Sequence, residues 1–326
     1  MSTAAVTYTT PTTPITRRVR AYFAPVNRAA AQPTVFDPSV NGSFDLDSPP
    51  SPWIDLGWIA DFSRRSSSSI EALETGSPAA PLLQMRATIG AGVSFRFLTW
   101  RKLSMALSAG SEHMNLLAPA LGATANGSGS KGATAANLLT SSTATSLNMV
   151  AASLAGFHPG QMVVVDADYA GQTGYVGSGV SAAYVRSAAA VNSDPDYIRR
   201  VSFNVGLVAA VTATELTLAQ PLLAGIPAAG MRVQAIDGFV DREGGSFFQE
   251  WSALFVMPGE QGDRILYYYP RLQPTGGAQE STQQLTSPLE WVTLQAAFRA
   301  MPVIDANDGE QVLCFRSFLP SPLTLP

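Results

Sequence analysis

Between Met85 and Phe97 every second residue is apolar: Met85, Ala87, Ile89, Ala91, Val93, Phe95 and Phe97 alternate with Arg86, Thr88, Gly90, Gly92, Ser94 and Arg96. Successive side chains of a β-strand point to opposite faces, so the pattern predicts a long strand with one buried face and one small or polar face. Upstream, Trp53–Phe62 is aromatic-rich and reads as a buried strand. Between the two lies a polar excursion, Ser63–Pro81, holding Arg64, Arg65, four consecutive serines, Glu71 and Glu74. Downstream, Thr99 is placed to cap a helix with Trp100, Leu103 and Leu107 on one stripe, and Gly110 is a natural stop.

Strand texture returns at Phe247–Met257, Arg264–Tyr269, Leu289–Met301 and Val312–Leu319, separated by Pro258-Gly259, Gly276-Gly277 and Asp305–Gly309. These pieces form one sheet-rich host domain, residues 53–117 plus 245–320, with a tail at 321–326. Residues 118–155, rich in Ala, Gly, Ser and Thr, read as a flexible linker with a short helix near Ala135–Leu139. Residues 156–238 carry short strands at Met162–Val165, Arg200–Val205, Glu215–Leu218 and Met231–Ile236, the pattern of a small inserted β-barrel. Residues 1–52, with Pro11, Pro14, Pro25, Pro33, Pro38, Pro49, Pro50 and Pro52 and the basic cluster Arg17-Arg18-Val19-Arg20, read as an extended arm. The expected class is mainly β: a sandwich or barrel host with one flanking helix and an inserted small barrel.

Charge narrows the function. Charged residues are 13% of the 326, about half the usual share, while hydrophobic residues reach 46%. Such a quiet surface on an apolar chain suits a molecule covered by its neighbours. Residues 1–159 carry 11 basic against 8 acidic side chains and residues 160–326 carry 9 against 16, a net of +3 followed by −7. That polarity suits copies meeting head to tail, although compositional chance accounts for it equally well. The overall charge of −4 argues against a basic nucleic-acid binder. No apolar run approaches the ~20 residues of a membrane span, and the first residues lack the basic and apolar segments of a secretory signal. Cys314 is the single cysteine, which excludes an internal disulfide framework.

Catalytic constellations are not visible. His113 and His158 lie in no recognisable triad setting, and with Cys314 they give no zinc-ligand spacing. Gly127–Gly132 lacks the spacing of a phosphate loop, and Gly171, Gly174 and Gly177 read as turns rather than a dinucleotide fingerprint. Asp305–Glu310 has calcium-loop residue types, but Gly309 is fifth where the loop needs it sixth. The pairs Asp166/Asp168 and Asp194/Asp196 read as turn or solvent-facing carboxylates. Tyr267, Tyr268 and Tyr269 alternate faces on a strand, so they pack in a core or interface rather than form one sugar platform. No catalytic residue, cofactor or metal is expected.

Several pieces in order resemble the bacteriophage major tail tube proteins, a group that extends to the tube proteins of contractile injection systems. They are the strand with Asp55-Leu56-Gly57-Trp58, the excursion with Arg64, Arg65 and Glu71, and the alternating strand ending Ser94-Phe95-Arg96-Phe97. The helix with Trp100-Arg101-Lys102-Leu103 and the closing Pro288-Leu289-Glu290-Trp291 complete the set. The likeness spans the host domain, about 140 residues by count of these segments, and the insertion departs from the family's minimal pattern. It implies a β-sandwich with a flanking helix, six copies closing a ring, and rings stacking into a DNA-ejection conduit. Long strands of all six copies would line one continuous barrel, and an acidic lumen would let DNA pass without sticking. Implied partners are further copies and terminator, baseplate or sheath components, with no membrane. The setting is the virion tail, assembled in the host cytoplasm. Arg17, Arg18, Arg20, Arg64, Arg65, Glu71, Glu74, Arg86 and Arg96 become assembly-interface candidates. Alternatives are another phage structural component (capsid, decoration or baseplate) and a carbohydrate-binding or adhesin module.

Overall fold

A computed structural model describes residues 16, 18–26, 32–41, 45–47, 49–50, 53–110, 112–118, 135–166, 204–223, 225–227, 229–242, 249–260, 262–275, 279–286 and 289–320. The elements of the first part are β1 (Val19–Pro25), α1 (Pro38–Asn41), β2 (Ile54–Thr75), β3 (Ala80–Phe97), α2 (Lys102–Ala109) and β4 (Glu112–Leu117). Then follow β5 (Ala136–Asn137), β6 (Ser146–Asn148), β7 (Met162–Asp166), β8 (Val205–Val211), β9 (Glu215–Leu218) and β10 (Arg232–Arg242). The chain closes with β11 (Trp251–Pro258), β12 (Arg264–Pro274), β13 (Gln279–Thr286), β14 (Leu289–Ala300), β15 (Val303–Ile304), β16 (Gln311–Val312) and β17 (Phe315–Leu319). The protein is mainly β.

The host sheet runs β13-β14-β3-β2-β1-β11-β12-β17, and β14 also pairs with β12. That extra ladder, Leu272 opposite Ala300 and Pro274 opposite Phe298, closes β14, β3, β2, β1, β11 and β12 into a six-stranded antiparallel barrel. Closure removes the unpaired edges that an open sheet would expose. The period-2 residues fill the interior: Val93, Phe95 and Phe97 meet Phe23, Trp251, Phe255, Leu294 and Phe298 in one core. Phe95 stacks on Phe298 at 5.6 Å, and Phe23 meets four rings at 5.4–6.3 Å. Helix α2 adds Leu103 and Leu107 to this core and stops at Gly110, which takes the left-handed conformation with φ 62°. Its N-cap is Arg101 rather than the expected Thr99, and Trp100 precedes the helix, half exposed.

The proline-rich arm is corrected most. Its middle, β1, is a central strand pairing with β2 and β11, and Ala21, Tyr22, Phe23 and Ala24 are all fully buried. No proline interrupts Val19–Ala24, so those amides are free to enter ladders on both sides. Farther along, Phe36, Leu46 and Trp53 lie over the outer face of β1, β11 and β12, against Tyr22, Leu254, Val256, Leu266 and Tyr268. Hydrogen bonds fix this strap: Tyr22 Oη donates to Leu46 O at 2.8 Å, Tyr268 Oη to Thr34 O at 2.7 Å, and Thr34 N to Ser252 Oγ at 2.9 Å. Much of the arm therefore docks on its own barrel.

A second sheet, β4-β10-β7-β8-β9-β6 with β5 also on β10, forms the insertion. Its core holds Leu147, Met149, Val163, Val165, Leu216 and Val233, all essentially inaccessible. The linker reading fails here from residue 135 onward, because β6 and the turn after it contribute buried Leu147 and Met149. The short helix expected at Ala135–Leu139 is instead strand β5. The insertion also begins earlier than expected, with β4 pairing along β10. Gly127–Gly132, Asp168, the glycines at 171, 174 and 177, and Asp194/Asp196 lie outside the described residues.

Candidate functional site

The excursion Ser63–Pro81 is corrected to the body of a long hairpin. β2 and β3 stay paired from Ile59–Phe97 out to Thr75–Ala80, while β1 accompanies β2 only as far as Ile59. β3 keeps its β14 partner as far as Gly92, opposite Arg65, so at about 3.3 Å per residue the segment from Arg65 to Thr75 reaches roughly 33 Å beyond the barrel. Phe62 is a hinge point: it packs on Phe255 at 4.9 Å and Tyr267 at 6.0 Å while the ladder slips between Ala60 and Ser63. Asp61, with φ 52°, supplies the left-handed residue of this bulge, a conformation that aspartate tolerates better than most. Beyond the bulge residues 63–75 of β2 pair with β3 on one side only, and past Arg65 the two strands leave the barrel as a hairpin.

The extension has no second layer, so its alternation buries nothing. Met85 is 59% exposed, whereas Val93 in the same strand is 3% exposed. Ile70, Leu73, Leu82, Leu83 and Met85 all stand in solvent on this one hairpin. Leu73 opposes Leu83 and Glu71 opposes Met85, so Leu73, Leu83 and Met85 share a face. On the other side of β3, β14 pairs with Leu294–Arg299 opposite Phe97–Gly92, and β13 pairs with β14 alone. β13, β14, β3 and β2 thus make a four-stranded sheet whose two flanks, β13 and the outer part of β2, have no second strand partner among the described residues.

The predicted interface residues divide sharply. Arg20 is satisfied internally: its guanidinium holds Asp55 and Asp47 and lies 5.2 Å over the Trp58 ring, and the Asp55 hydrogen bond is the main cause of its raised pKa. Arg18 stacks over the same ring at 5.5 Å. Arg64 points inward, where its Nε donates to Tyr269 Oη at 3.0 Å and its guanidinium covers Tyr267 at 5.1 Å. Arg20 and Arg64 are tied up within the subunit as barrel struts. Arg65, Glu71, Glu74 and Arg86 are exposed on the hairpin. Arg96 binds Asp61 at 3.0 Å. Arg17 lies outside the described residues.

The outer face of the four-stranded sheet over the barrel consists of registered rows. Arg65, Gly92 and Arg299 stand in one row, Ser63, Ser94 and Ala297 in the next, and Ala60, Arg96, Gln295 and Gln279 in a third. Arg96, Gln279, Gln295 and Ser94 border a cavity of about 240 Å3, and the buried Arg96 Nε has no hydrogen-bond partner. Unlike the strapped side at β1, β11 and β12, this face is not covered by other described residues. Asp61, Arg299 and strand β13 are not among the residues that the sequence singles out. Arg299 is betrayed only by the alternation Leu294, Ala296, Phe298, Ala300 around it, and β13 has no apolar periodicity at all.

Comparison with known families and with curated proteins finds no match for this chain. Chemistry must therefore be judged from the side chains. Among the described residues no three His, Cys, Asp or Glu gather as a metal site. Cys314 is partly buried beside Tyr269 and Arg64, and burial pushes its thiol up, away from the reactive thiolate. His158 is exposed at the turn before β7. Asp305 closes a tight turn, accepting from Asn307 N at 2.9 Å. Among the described residues, the long apolar hairpin, the edges of β13 and outer β2 and the arginine-bearing face are left without an internal purpose.

Proposed function

We propose that this protein is a structural virion component, a major tail tube subunit whose copies close into hexameric rings and stack into a conduit for DNA. The observation that carries the reading is the four-stranded sheet β13-β14-β3-β2 with a free edge on each flank. The barrel proper is closed, so among the described residues the long edges of the host sheet are β13, at one end of β14, and the hairpin β2-β3 at the opposite end, with the short β17 beside β12. Natural proteins blunt or cover such edges. Edge-to-edge addition of β2 from one copy to β13 of the next satisfies both, and repeated around a rotation axis it closes a ring lined by strands. The hairpin, carrying Met85, Leu73 and Leu83 roughly 20–26 Å beyond Arg65, reaches an adjacent copy and buries them there. The strapped side, already covered, faces away from the ring axis.

Negative-stain electron microscopy of the concentrated protein tests this. Rings or stacked tubes are expected, and the variant Leu73→Ser/Leu83→Ser should abolish stacking without changing the melting transition, because neither side chain packs inside the subunit. A monodisperse monomer at high concentration would overturn the reading.

A further inference from the structure

We infer that the outer face of the β13-β14-β3-β2 sheet, centred on the row Arg65–Gly92–Arg299, is a contact surface for the phosphate backbone of duplex DNA. The proposal deepens the conduit reading and rests on it for the identity of the polyanion. It also reverses the expectation of an acidic lumen.

Strand register sets the geometry. Arg65 and Arg299 both pair with Gly92, from opposite sides. Two inter-strand steps put their Cα atoms about 10 Å apart with no side chain between them. Both arginines are exposed and, among the described residues, neither has a carboxylate partner. Arg64, the neighbour of Arg65, faces the interior, so the two adjacent arginines are divided between core and surface. Arg96, four residues along β3 from Gly92, adds a third cation, matched by Asp61. Asp61 is the one carboxylate in the rows over the barrel. Glu280 lies opposite Leu294 and so takes the other face of β13. Among the described residues of β2 and β3, the next carboxylate along this face is Glu71, six residues up β2 from Arg65, or about 20 Å.

A chain with net charge −4 thus presents a locally basic face floored by serine, glycine and glutamine. Glycine at the centre of the row leaves the backbone bare, so a phosphate can approach between two guanidinium groups, which favour phosphate geometry. The amides and hydroxyls of the neighbouring rows offer hydrogen bonds that do not depend on base identity, as contacts to a backbone require. Two unmatched arginines per copy give weak attraction each. Repeated around an assembly, they centre a polyanion and remain dependent on salt.

The test is fluorescence anisotropy of the full chain with a labelled duplex of about 30 base pairs, across about 50 to 200 mM salt. The wild type is expected to bind, with log K falling linearly as log salt rises. Arg65→Gln/Arg299→Gln should bind at least about tenfold more weakly at low salt, with the slope reduced by about 2, close to 0.9 for each phosphate no longer neutralised. Both positions are exposed, and an unchanged thermal transition checks that the variant folds. Equal affinity and slope for the two proteins overturn the proposal. So does preference for poly-glutamate over the duplex, which assigns the face to an acidic polypeptide. Microscopy of the same samples separates the two readings. Monomers that bind the duplex through this arginine pair support the face and sink the conduit; tubes that bind no duplex sink the face alone.

Discussion

Replacing Phe23 by alanine tests whether the proline-flanked N-terminal segment is part of the barrel. Phe23 is completely buried between Ile54 of β2 and Ala253 of β11, and its ring meets Phe298 at 5.4 Å, Phe255 at 6.0 Å and Phe95 and Trp251 at 6.3 Å. Loss of a buried phenylalanine ring costs about 3–5 kcal/mol, the upper part applying where the walls cannot collapse. These walls are strands held in a closed circuit, so about 4–5 kcal/mol is expected, against a typical total of about 5–15 kcal/mol. For 326 residues unfolding together, at about 2.1 cal/mol/K per residue, that is a fall in Tm of roughly 6–7 °C. Urea unfolding followed by tryptophan fluorescence measures it, with the exposed Val35→Ala as a control expected within about 0.5 kcal/mol. Deleting residues 1–26 removes β1 and should abolish the cooperative transition. A Phe23→Ala loss below about 1 kcal/mol, or a cooperative fold after the deletion, would refute the barrel assignment of β1.

Two further outcomes follow from buried polar groups. Glu250, 2% exposed, accepts from Arg271 Nε and from Gln273 Nε2 at 2.8 Å; Arg271→Met strands the carboxylate and should cost about 3–5 kcal/mol in urea, most of it recovered in Glu250→Leu/Arg271→Met. Equal stability of Arg271→Met and wild type would show that the pair contributes nothing to holding the fold. Burial pushes Tyr269 up to about 12, and raises Tyr22 and Tyr268 as well, whereas unfolded tyrosines ionise near 10. Above pH ~10 the folded state therefore binds more protons than the unfolded one, so stability is complete below pH 10 and declines as pH rises through about 12. The urea midpoint should be lower at pH ~11 than at pH ~8, with a smaller drop in Tyr22→Phe/Tyr268→Phe; identical midpoints would contradict the burial.

The fold is legible in the sequence where one physical signal acts alone. Val93, Phe95 and Phe97 alternate because a core lies under them, and the strand and its buried face follow directly. The same alternation in Met85 and Ala87 misleads, since burial depends on a second layer that periodicity cannot report. Proline density misleads in the opposite way: Pro14 and Pro25 bracket a stretch without proline, and Val19–Ala24 enters the barrel between them. Leu147 and Met149 are hidden among small residues, although each is buried in the insertion's core. For the candidate site, Arg64 and Arg65 stand side by side in the sequence, and only register separates the one bonded to Tyr269 from the one on the surface. β13 leaves no trace, because a strand whose faces are both polar has no hydrophobic period.

The distribution of covered and uncovered surface ties these observations together. The chain lays its own strap, with Phe36, Leu46 and Trp53, on the outer face of β1, β11 and β12, so that half of the barrel is buried on both sides. No segment of the described structure covers the β13-β14-β3-β2 half, and there Ile70, Leu73, Leu82, Leu83 and Met85 are concentrated on a single hairpin. Unpaired edges and clustered apolar side chains are what an isolated subunit would be selected to avoid, since they template aggregation. The proposed assembly would cover both, the hairpin at one end of the sheet and the β13 edge at the other. The low charge content fits the same logic: charges that would be desolvated in repeated contacts are absent from the hairpin's apolar face, where Glu71 alone stands beside Met85. The arginines kept nearby, Arg65 and Arg299, sit instead on the barrel side of that face, and on the proposed reading an approaching polyanion rather than a packed neighbour would meet them.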